Sequence, residues 1–414
     1  MLRHSFVFPQ ALFLVLFAGA SVSTMAMPET STNAMSLTVE EARISKLRER
    51  HPEVADRYSD IVNQAKSSFD LAGDYEAMSL LTHHTGKKLW EAAKRTVAEQ
   101  AILDDRSLYW SRLSLTAYLR ASQFAVPLSS NQRINLIERL ENSSRGRDSI
   151  EFTAGAVKKI LVTGFDPFLL DKHIDQSNPS GIVALNLDGQ TLTYGQASAE
   201  IQTVIFPVRF EDFDAGEVEQ LIEPLLKTRQ VDMIVTVSMG RTDFDLEHFP
   251  GRRRSSGSPD NLNIYSGGDE TKPKIPLLNG AVIEGPEFLE FSLPYRAMQR
   301  VILDAKQDAN QQPGEATYPY PYLINDNRTI TTLDGTFEAK TLAELKGATA
   351  VRGSGGGYLS NEISYRSVRL ARKYQPLIPT GHIHTPRLER YDAEQLKTIS
   401  DQVAEMIRYA IIEI

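Results

Sequence analysis

The sequence predicts an α/β fold, with an open and mostly parallel sheet, helices on both of its faces, and a small helical domain in front. Three short apolar runs are typical of buried strands: KILVTGF (159–165), VDMIVTVS (231–238) and GATAVRGS (347–354). Helical stretches alternate with these runs, and that alternation favours a parallel sheet. Sites in such sheets lie beyond the carboxyl ends of the strands, here at Gly164-Phe165, Met239-Gly240 and Gly353-Ser354.

Residues 36–142 are predicted to form a helical accessory domain. Leu89, Ala92, Ala93 and Val97 recur at three- and four-residue steps, as on the apolar face of a helix. A serine pair at 129–130 is typical of the start of another helix. The polar, glycine-containing segment 143–156 is predicted to be a linker, after which the α/β domain covers 157–414.

The N-terminus has the pattern of a secretory signal peptide over residues 1–26. A basic start precedes an apolar run from Phe6 to Ala20, and small residues follow. The run is short for a membrane span, so we expect cleavage and export to a periplasm or to the medium, with no membrane attachment of the mature chain. An uncleaved anchor is the alternative.

Charge and cysteine content narrow the classes of partner. The formal net charge of −8 argues against a nucleic-acid-binding surface, which usually needs a basic face. The chain contains no cysteine, which excludes disulfides and cysteine-ligated metals. Small molecules and peptides remain as partners, and a homo-oligomer is compatible with the sequence.

Glu247, Ser360 and His384 form a candidate hydrolytic set. A serine hydroxyl is a weak nucleophile that needs a base, and the base needs an orienting acid. Ser360 follows the glycine-rich turn GSGGG and opens a helix, where backbone N–H groups suit an oxyanion. This chemistry requires no metal and no cofactor. The structural alternatives are a helix cap for Ser360, a buried structural histidine for His384 and an ion pair for Glu247. His382 is expected to face away from the site.

Four ordered motifs between about residues 158 and 410 resemble those of pyroglutamyl peptidase I, the pyrrolidone-carboxylate peptidase family. The motifs are VTGFDPF (162–168) with SNPSGIVALNLDG (177–189), Gly240-Arg241 with Glu247 and PDN (259–261), AVRGSGGGYLSN (350–361), and GHIHTP (381–386). In the third motif Ser360 stands where the family has its nucleophilic cysteine.

The resemblance implies a pyroglutamyl-peptidase-like sheet and removal of N-terminal pyroglutamate from peptides, so the expected partner is a peptide with a cyclised N-terminus. Glu247 would orient His384, which would activate Ser360. By the same resemblance Phe165 and Phe168 line the pocket for the pyrrolidone ring, and Arg241 is assigned to substrate binding.

The chain also departs from the family pattern. Serine needs general-base assistance where a thiolate does not. Leu169-Leu170 replaces a glycine pair, and Gly257 replaces an arginine near Arg252–Arg254. A segment at about 307–345 has no counterpart, and serves as a lid, an oligomer contact or a surface excursion. Two rival functions therefore stay open: a catalytically silent peptide- or partner-binding homologue, and a serine amidase or esterase of different specificity.

Overall fold

The computed structural model describes residues 34–155, 157–311 and 320–414. The signal peptide predicted at 1–26 lies outside these residues. Within them, no helix is both long enough and apolar enough to cross a bilayer.

The N-terminal region is helical, as the sequence predicts. Its helices are α1 (Val39–Ala42), α2 (Ile44–Arg50), α3 (Pro52–Asp56), α4 (Ser59–Asp70), α5 (Tyr75–Ala98), α6 (Arg106–Ala121) and α7 (Ser130–Ser144). Ser129 caps α7, because its hydroxyl accepts the N–H of Gln132 while the Gln132 side chain returns to the Ser129 N–H. Helix α7 runs two residues into the segment predicted as a linker, and a short 3₁₀ turn (Arg147–Ser149) follows.

The rest of the chain mixes strands and helices. The strands are β1 (Lys158–Phe165), β2 (Thr191–Tyr194), β3 (Ala197–Phe206), β4 (Met233–Met239), β5 (Phe244–Glu247), β6 (Leu277–Leu278), β7 (Ala281–Val282), β8 (Ile324–Asn327), β9 (Thr329–Thr332), β10 (Gly335–Glu338), β11 (Ala350–Arg352) and β12 (Thr380–Thr385). The helices are α8 (Pro179–Leu187), α9 (Phe210–Asp214), α10 (Glu217–Lys227), α11 (Tyr295–Gln311), α12 (Leu359–Tyr374) and α13 (Ala393–Ala410).

Seven strands form one sheet in the order β2-β3-β1-β4-β12-β5-β8. Strands β3, β1, β4 and β12 are mutually parallel, β2 and β5 are antiparallel to their inner neighbours, and β8 runs parallel to β5. The mostly parallel sheet confirms the predicted fold class.

Helices cover both faces of this sheet, and β1 shows why. Ile160 and Val162 point into a core shared with α8, α11 and α13. Leu161, between them, points into the opposite core, shared with α10 and α12. Because successive side chains of a strand alternate between faces, an unbroken apolar strand has to be buried on both sides.

Two parts of the C-terminal region differ from the sequence prediction. The apolar run 347–354 contributes only the short strand β11, which joins β9 and β10 in a separate three-stranded sheet. The segment 307–345, predicted to be a lid, an oligomer contact or a surface excursion, supplies β8, which is one of the two edge strands of the main sheet. Within the aromatic stretch 317–323, Tyr320 and Tyr322 pack against the core that α11 and α13 share, and residues 317–319 lie outside the described residues.

Candidate active site

A cavity of about 460 Å³ opens where β1, β4 and β12 end, at the edge of the sheet where the sequence places the site. The loop after β1, the loop after β4, the turn before α12 and the end of β12 all contribute to its wall. Of the predicted site residues, the cavity brings together Glu247, Ser360, His384, Phe168 and Arg241. The remaining lining residues are Leu169, Lys172, Met239, Gly240, Asp245, Ser256, Ser258, Pro259, Ser354, Gly355, Tyr358 and Arg387.

Glu247 and His384 form a direct pair at the floor of the cavity. The His384 Nδ1 atom lies 2.5 Å from Glu247 Oε1, and both residues are buried. Burial raises the pKa of Glu247, and the charge of His384 together with its hydrogen bond opposes that rise. The carboxylate accepts the Nδ1–H, so Nε2 is the ring nitrogen of neutral His384 that carries no proton.

The unprotonated Nε2 of His384 is available to a ligand. Within the described residues, no hydrogen bond engages this nitrogen, and His384 lines the cavity. Gly240 makes room for the ring, since a Cβ at this position would lie 2.7 Å from His384 Cβ and 2.9 Å from Thr385 O. The glycine of the Gly240-Arg241 pair therefore permits the close approach of β4 and β12 at the site.

Ser360 lies in the first turn of α12, on the wall of the same cavity. Its hydroxyl donates to Gly355 O at 3.2 Å and makes no hydrogen bond with His384. The first backbone hydrogen bond of the helix runs from Glu362 N to Tyr358 O, so the N–H groups of Leu359, Ser360 and Asn361 have no acceptor within the helix. Tyr358, at the N-cap, provides no side-chain acceptor either.

The start of α12 is fixed by Asn361. Its side chain accepts from Gly251 N at 2.8 Å and donates to Gly251 O at 2.7 Å. Gly353 lies against this pair, because a Cβ there would be 2.1 Å from Asn361 Oδ1 and 2.3 Å from Gly251 N. The segment that follows Glu247 is thereby joined to the helix that carries Ser360.

Phe165 and Phe168 border a second, smaller cavity of about 40 Å³ next to Ser360. Its wall is mainly apolar, with Val208 and Met239 opposite the two rings. Phe168 also lines the main cavity, whereas Phe165 is 3% exposed and stacks on Phe213 in the core. Phe168 therefore belongs to the open site, and Phe165 forms part of both the core and the small cavity.

His382 does not face away from the site as expected, because residues two apart in a strand share a face. Its ring centroid lies 4.8 Å from that of His384. The Thr236 hydroxyl donates to Gly381 O, so it accepts from His382 Nδ1 at 2.7 Å. His382 Nε2 therefore carries no proton and accepts from the Ser238 hydroxyl, also at 2.7 Å. Burial lowers the pKa of His382 well below its usual value, which keeps this ring neutral.

The three neighbouring arginines considered as substitutes at Gly257 are engaged elsewhere. Arg252 donates to Ile283 O, Arg253 makes two hydrogen bonds to Glu287, and the buried Arg254 pairs with Glu362 and Asp214. None of the three lines the main cavity. Arg241, which does line it, is exposed.

Asn327 is a site residue that the sequence does not indicate. It follows from the pairing of β8 with β5, which places it opposite Glu247. Its side-chain amide lies 3.5 Å from Glu247 Oε2 and 3.1 Å from Ser354 O. Asn327 thus bridges the carboxylate and the glycine-rich turn before Ser360.

The helical region holds the loop after β1, which carries Phe168. Arg112 donates to Asp166 Oδ1 at 2.5 Å, and Arg145 donates to Asp166 Oδ2 at 2.7 Å; all three side chains are buried. Arg145 lies in the segment predicted as a linker, so this segment is part of the interface between the two regions.

Two further contacts join the helical region to the site loops. Arg43 makes paired hydrogen bonds to Asp171 and donates to Asn261 O at 2.6 Å. Asp105 accepts from the Ser177 hydroxyl and from Asn178 N, the latter at 2.9 Å. Burial raises the pKa of Asp105 to about 7, although both hydrogen bonds lower it.

Solved structures with a similar chain trace come from the hyperthermophile Pyrococcus furiosus. A mutant of its pyrrolidone carboxyl peptidase shares 21% sequence identity, covers 62% of this chain and 99% of its own, and has a TM-score of 0.40. The X-ray structures of that peptidase and its Cys-free mutant show 20% identity with the same coverage and TM-score.

One curated relative and two family models match the sequence. Uncharacterized protein PA0049 of Pseudomonas aeruginosa PAO1 is 27% identical over 423 residues, which span 81% of this chain and 76% of that protein. The model of the PA0049 N-terminal domain matches residues 21–141, and that of the PA0049 C-terminal domain matches 159–317 and 321–389. Because the second match alone covers more than half of the sequence, the chain belongs to the PA0049 family.

Proposed function

We propose that the chain is an exported serine hydrolase, an omega peptidase that removes N-terminal pyroglutamate from peptides. The Glu247–His384 hydrogen bond supports this proposal most directly, because it leaves His384 Nε2 unprotonated on the wall of the cavity that also contains Ser360. The four motifs that resemble pyroglutamyl peptidase I motivate the choice of substrate.

In the proposed reaction the Ser360 hydroxyl attacks the pyroglutamyl carbonyl carbon while His384 Nε2 takes its proton. Glu247 holds Nδ1–H and stabilises the imidazolium. The N–H groups at the start of α12 stabilise the oxyanion. His384 then returns the proton to the leaving amine, and water hydrolyses the acyl-serine ester through the same base.

The Ser360 hydroxyl has to turn before it can react. It donates to Gly355 O in the structure, so attack requires that this hydrogen bond break and that the hydroxyl donate to Nε2 instead. A side chain can turn between staggered rotamers without any movement of the backbone that carries it.

Export fits the chemistry of the nucleophile. A low-pKa thiolate in an oxidising compartment is converted to sulfenic and higher acids, whereas a serine hydroxyl is not. A hydrolase with a serine nucleophile and no cysteine is therefore suited to an oxidising compartment outside the cytoplasm.

Hydrolysis of a fluorogenic pyroglutamyl amide tests the proposal. We expect the protein to release the fluorophore and Ser360→Ala to lose at least about 1,000-fold in kcat, as expected for loss of a nucleophile. Ser258→Ala is the matched control, because Ser258 lines the same cavity in an exposed loop and does not belong to α12. No turnover of either this amide or pyroglutamyl-alanine by the folded parent would refute the proposed specificity.

A catalytically silent peptide-binding protein is the second candidate, and the hydrogen bond from Ser360 to Gly355 O favours it. In that case peptide binds in the cavity without hydrolysis, and the Ser360 hydroxyl keeps its backbone acceptor. A reactive-serine probe separates the two candidates: covalent labelling of the parent, absent in Ser360→Ala, supports the hydrolase. Binding of a pyroglutamyl peptide without labelling supports the silent candidate.

A further inference from the structure

We propose that the mouth of the main cavity binds the free α-carboxylate of a short substrate through Lys172, Arg241 and Arg387. This inference deepens the proposed function, because it names the substrate class as pyroglutamyl dipeptides rather than long peptides.

The three cations come from three separate loops that converge on one opening. Lys172 follows β1, Arg241 follows β4 and Arg387 follows β12, and all three line the main cavity. The backbone connects two of the loops directly, since Arg387 N donates to Arg241 O at 2.6 Å. The two arginines are therefore held on adjacent backbone, with their side chains exposed at the cavity.

None of these side chains forms an ion pair in the part of the chain that the structure describes, although burial raises the pKa of Glu247 and the charge of Arg241 opposes that rise. Of the two acids on the cavity wall, Glu247 is engaged by His384, and Asp245 accepts from Asn325 at 3.1 Å. Two buried arginines, by contrast, form ion pairs: Arg254 with Glu362, and Arg366 with Glu219. The opening therefore has three cations without an ion pair among the described residues, in a chain of net charge −8.

The chemistry of these cations indicates an anionic ligand group. Guanidinium groups bind carboxylates through paired N–H donors, and an ammonium adds a point charge. In a pyroglutamyl dipeptide the carboxylate carbon of the leaving residue lies only roughly 2.5 Å from the scissile nitrogen, from the N–Cα and Cα–C bond lengths. A longer peptide places a neutral amide at that position, so the cations distinguish a dipeptide from a longer substrate.

Calorimetry can measure the binding of matched acids and amides to the Ser360→Ala variant. Because this variant lacks the nucleophile, the carboxylate subsite is tested without turnover. The ligands are pyroglutamyl-alanine, its amide, acetyl-alanine and its amide. We expect each acid to bind at least about tenfold more tightly than its amide, the usual size of a charge-assisted hydrogen bond. The preference should weaken at high salt, because the cations are exposed.

Added substitutions locate the effect. Lys172→Gln with Arg387→Gln should lower the acid-to-amide ratio several-fold, because only Arg241 then remains, whereas Arg390→Gln should leave the ratio unchanged. Arg390 is the matched control, an exposed cation three residues further on that lies outside the cavity wall and has no ion pair within the described residues. Equal binding of acid and amide, an unchanged ratio in the double variant, or no binding of any of the four compounds would overturn the subsite. Acid preference in the acetyl series alone would support the subsite and overturn the pyroglutamyl specificity.

Discussion

Glu247 and His384 reach each other from antiparallel neighbours in the sheet, and the residue paired with His384 across the ladder is Asp245, not Glu247. Asp245 and Glu247 are two residues apart, so both carboxylates lie on the face of β5 that carries the histidine contact. Of these two carboxylates only Glu247 accepts from Nδ1, whereas Asp245 accepts from Asn325. The hydrogen bond to Glu247 therefore fixes the tautomer of His384 that carries its proton on Nδ1.

Glu247→Gln should lower kcat for the pyroglutamyl amide by about 100- to 10,000-fold. The amide no longer stabilises an imidazolium and allows the wrong tautomer of His384, as in other serine hydrolases that lose their acid. Steady-state kinetics would measure the loss. Asp245→Asn is the comparison, and we expect a much smaller effect from it. Equal losses from the two variants would contradict the assigned role of Glu247.

Ser360→Cys should create a thiol with a depressed pKa. The N-terminus of α12 and a protonated His384 both favour the thiolate, so its apparent pKa should fall at least about one unit below the usual 8.5. The rate of iodoacetamide alkylation against pH measures this value without a substrate, and no other thiol in the chain reacts. Ser258→Cys, in an exposed part of the same cavity, should titrate normally; identical profiles would show that position 360 has no special environment.

Gly240→Ala should lower kcat by about 100-fold, because a methyl group at 2.7 Å from His384 Cβ displaces the imidazole. The thermal unfolding midpoint and the kinetics of the variant would be measured together. Gly257→Ala is its control, since no atom lies within 4 Å of a Cβ at that exposed position. Full activity of Gly240→Ala would mean that the ring does not need its observed position.

Asp105→Asn should change the pH dependence of stability. Burial raises the pKa of the folded carboxyl to about 7 from its ordinary value of 3.8, so as pH rises the carboxyl ionises in the unfolded state before it does so in the folded state. The stability that protonated Asp105 provides is complete below about pH 4 and is lost as pH rises to 7. The asparagine stays neutral, donates to Ser177 and accepts from Asn178 N–H, so it avoids this loss.

Urea unfolding at pH 5 and pH 8 would measure that difference. Relative to the parent, Asp105→Asn should gain about 2 to 3 kcal/mol between the two pH values, at about 1.4 kcal/mol per pKa unit. Asp104→Asn, which weakens the pair with Arg106, should destabilise the protein at both pH values. No relative gain by Asp105→Asn would mean that the buried carboxyl stays ionised.

The fold class and the proximity of Glu247 and His384 follow from local patterns. Both residues lie in short motifs at the ends of strands, so local pattern and resemblance are enough to select them as candidates. Asn327 has no local signal, because its contact with Glu247 depends on the pairing of β5 with β8, strands that are far apart in the sequence. The run 347–354 is apolar like a central strand, yet the strand that it contains, β11, pairs with β9 outside the main sheet. No local pattern encodes which strand β11 pairs with.

The contacts of the arginines also cannot be predicted from the local sequence. The run Arg252–Arg254 gives no indication that Arg254 is buried, since its partners Glu362 and Asp214 come from distant helices. Ser360 was found through its motif, but the direction of its hydroxyl, toward Gly355 O, is a property of the folded turn.

Asp166, paired with Arg112 and Arg145, also links the unfolding of the two regions. Separating the helical region from the sheet would break both buried ion pairs of this aspartate and expose its carboxylate to water. The helices and the sheet should therefore unfold in one cooperative transition.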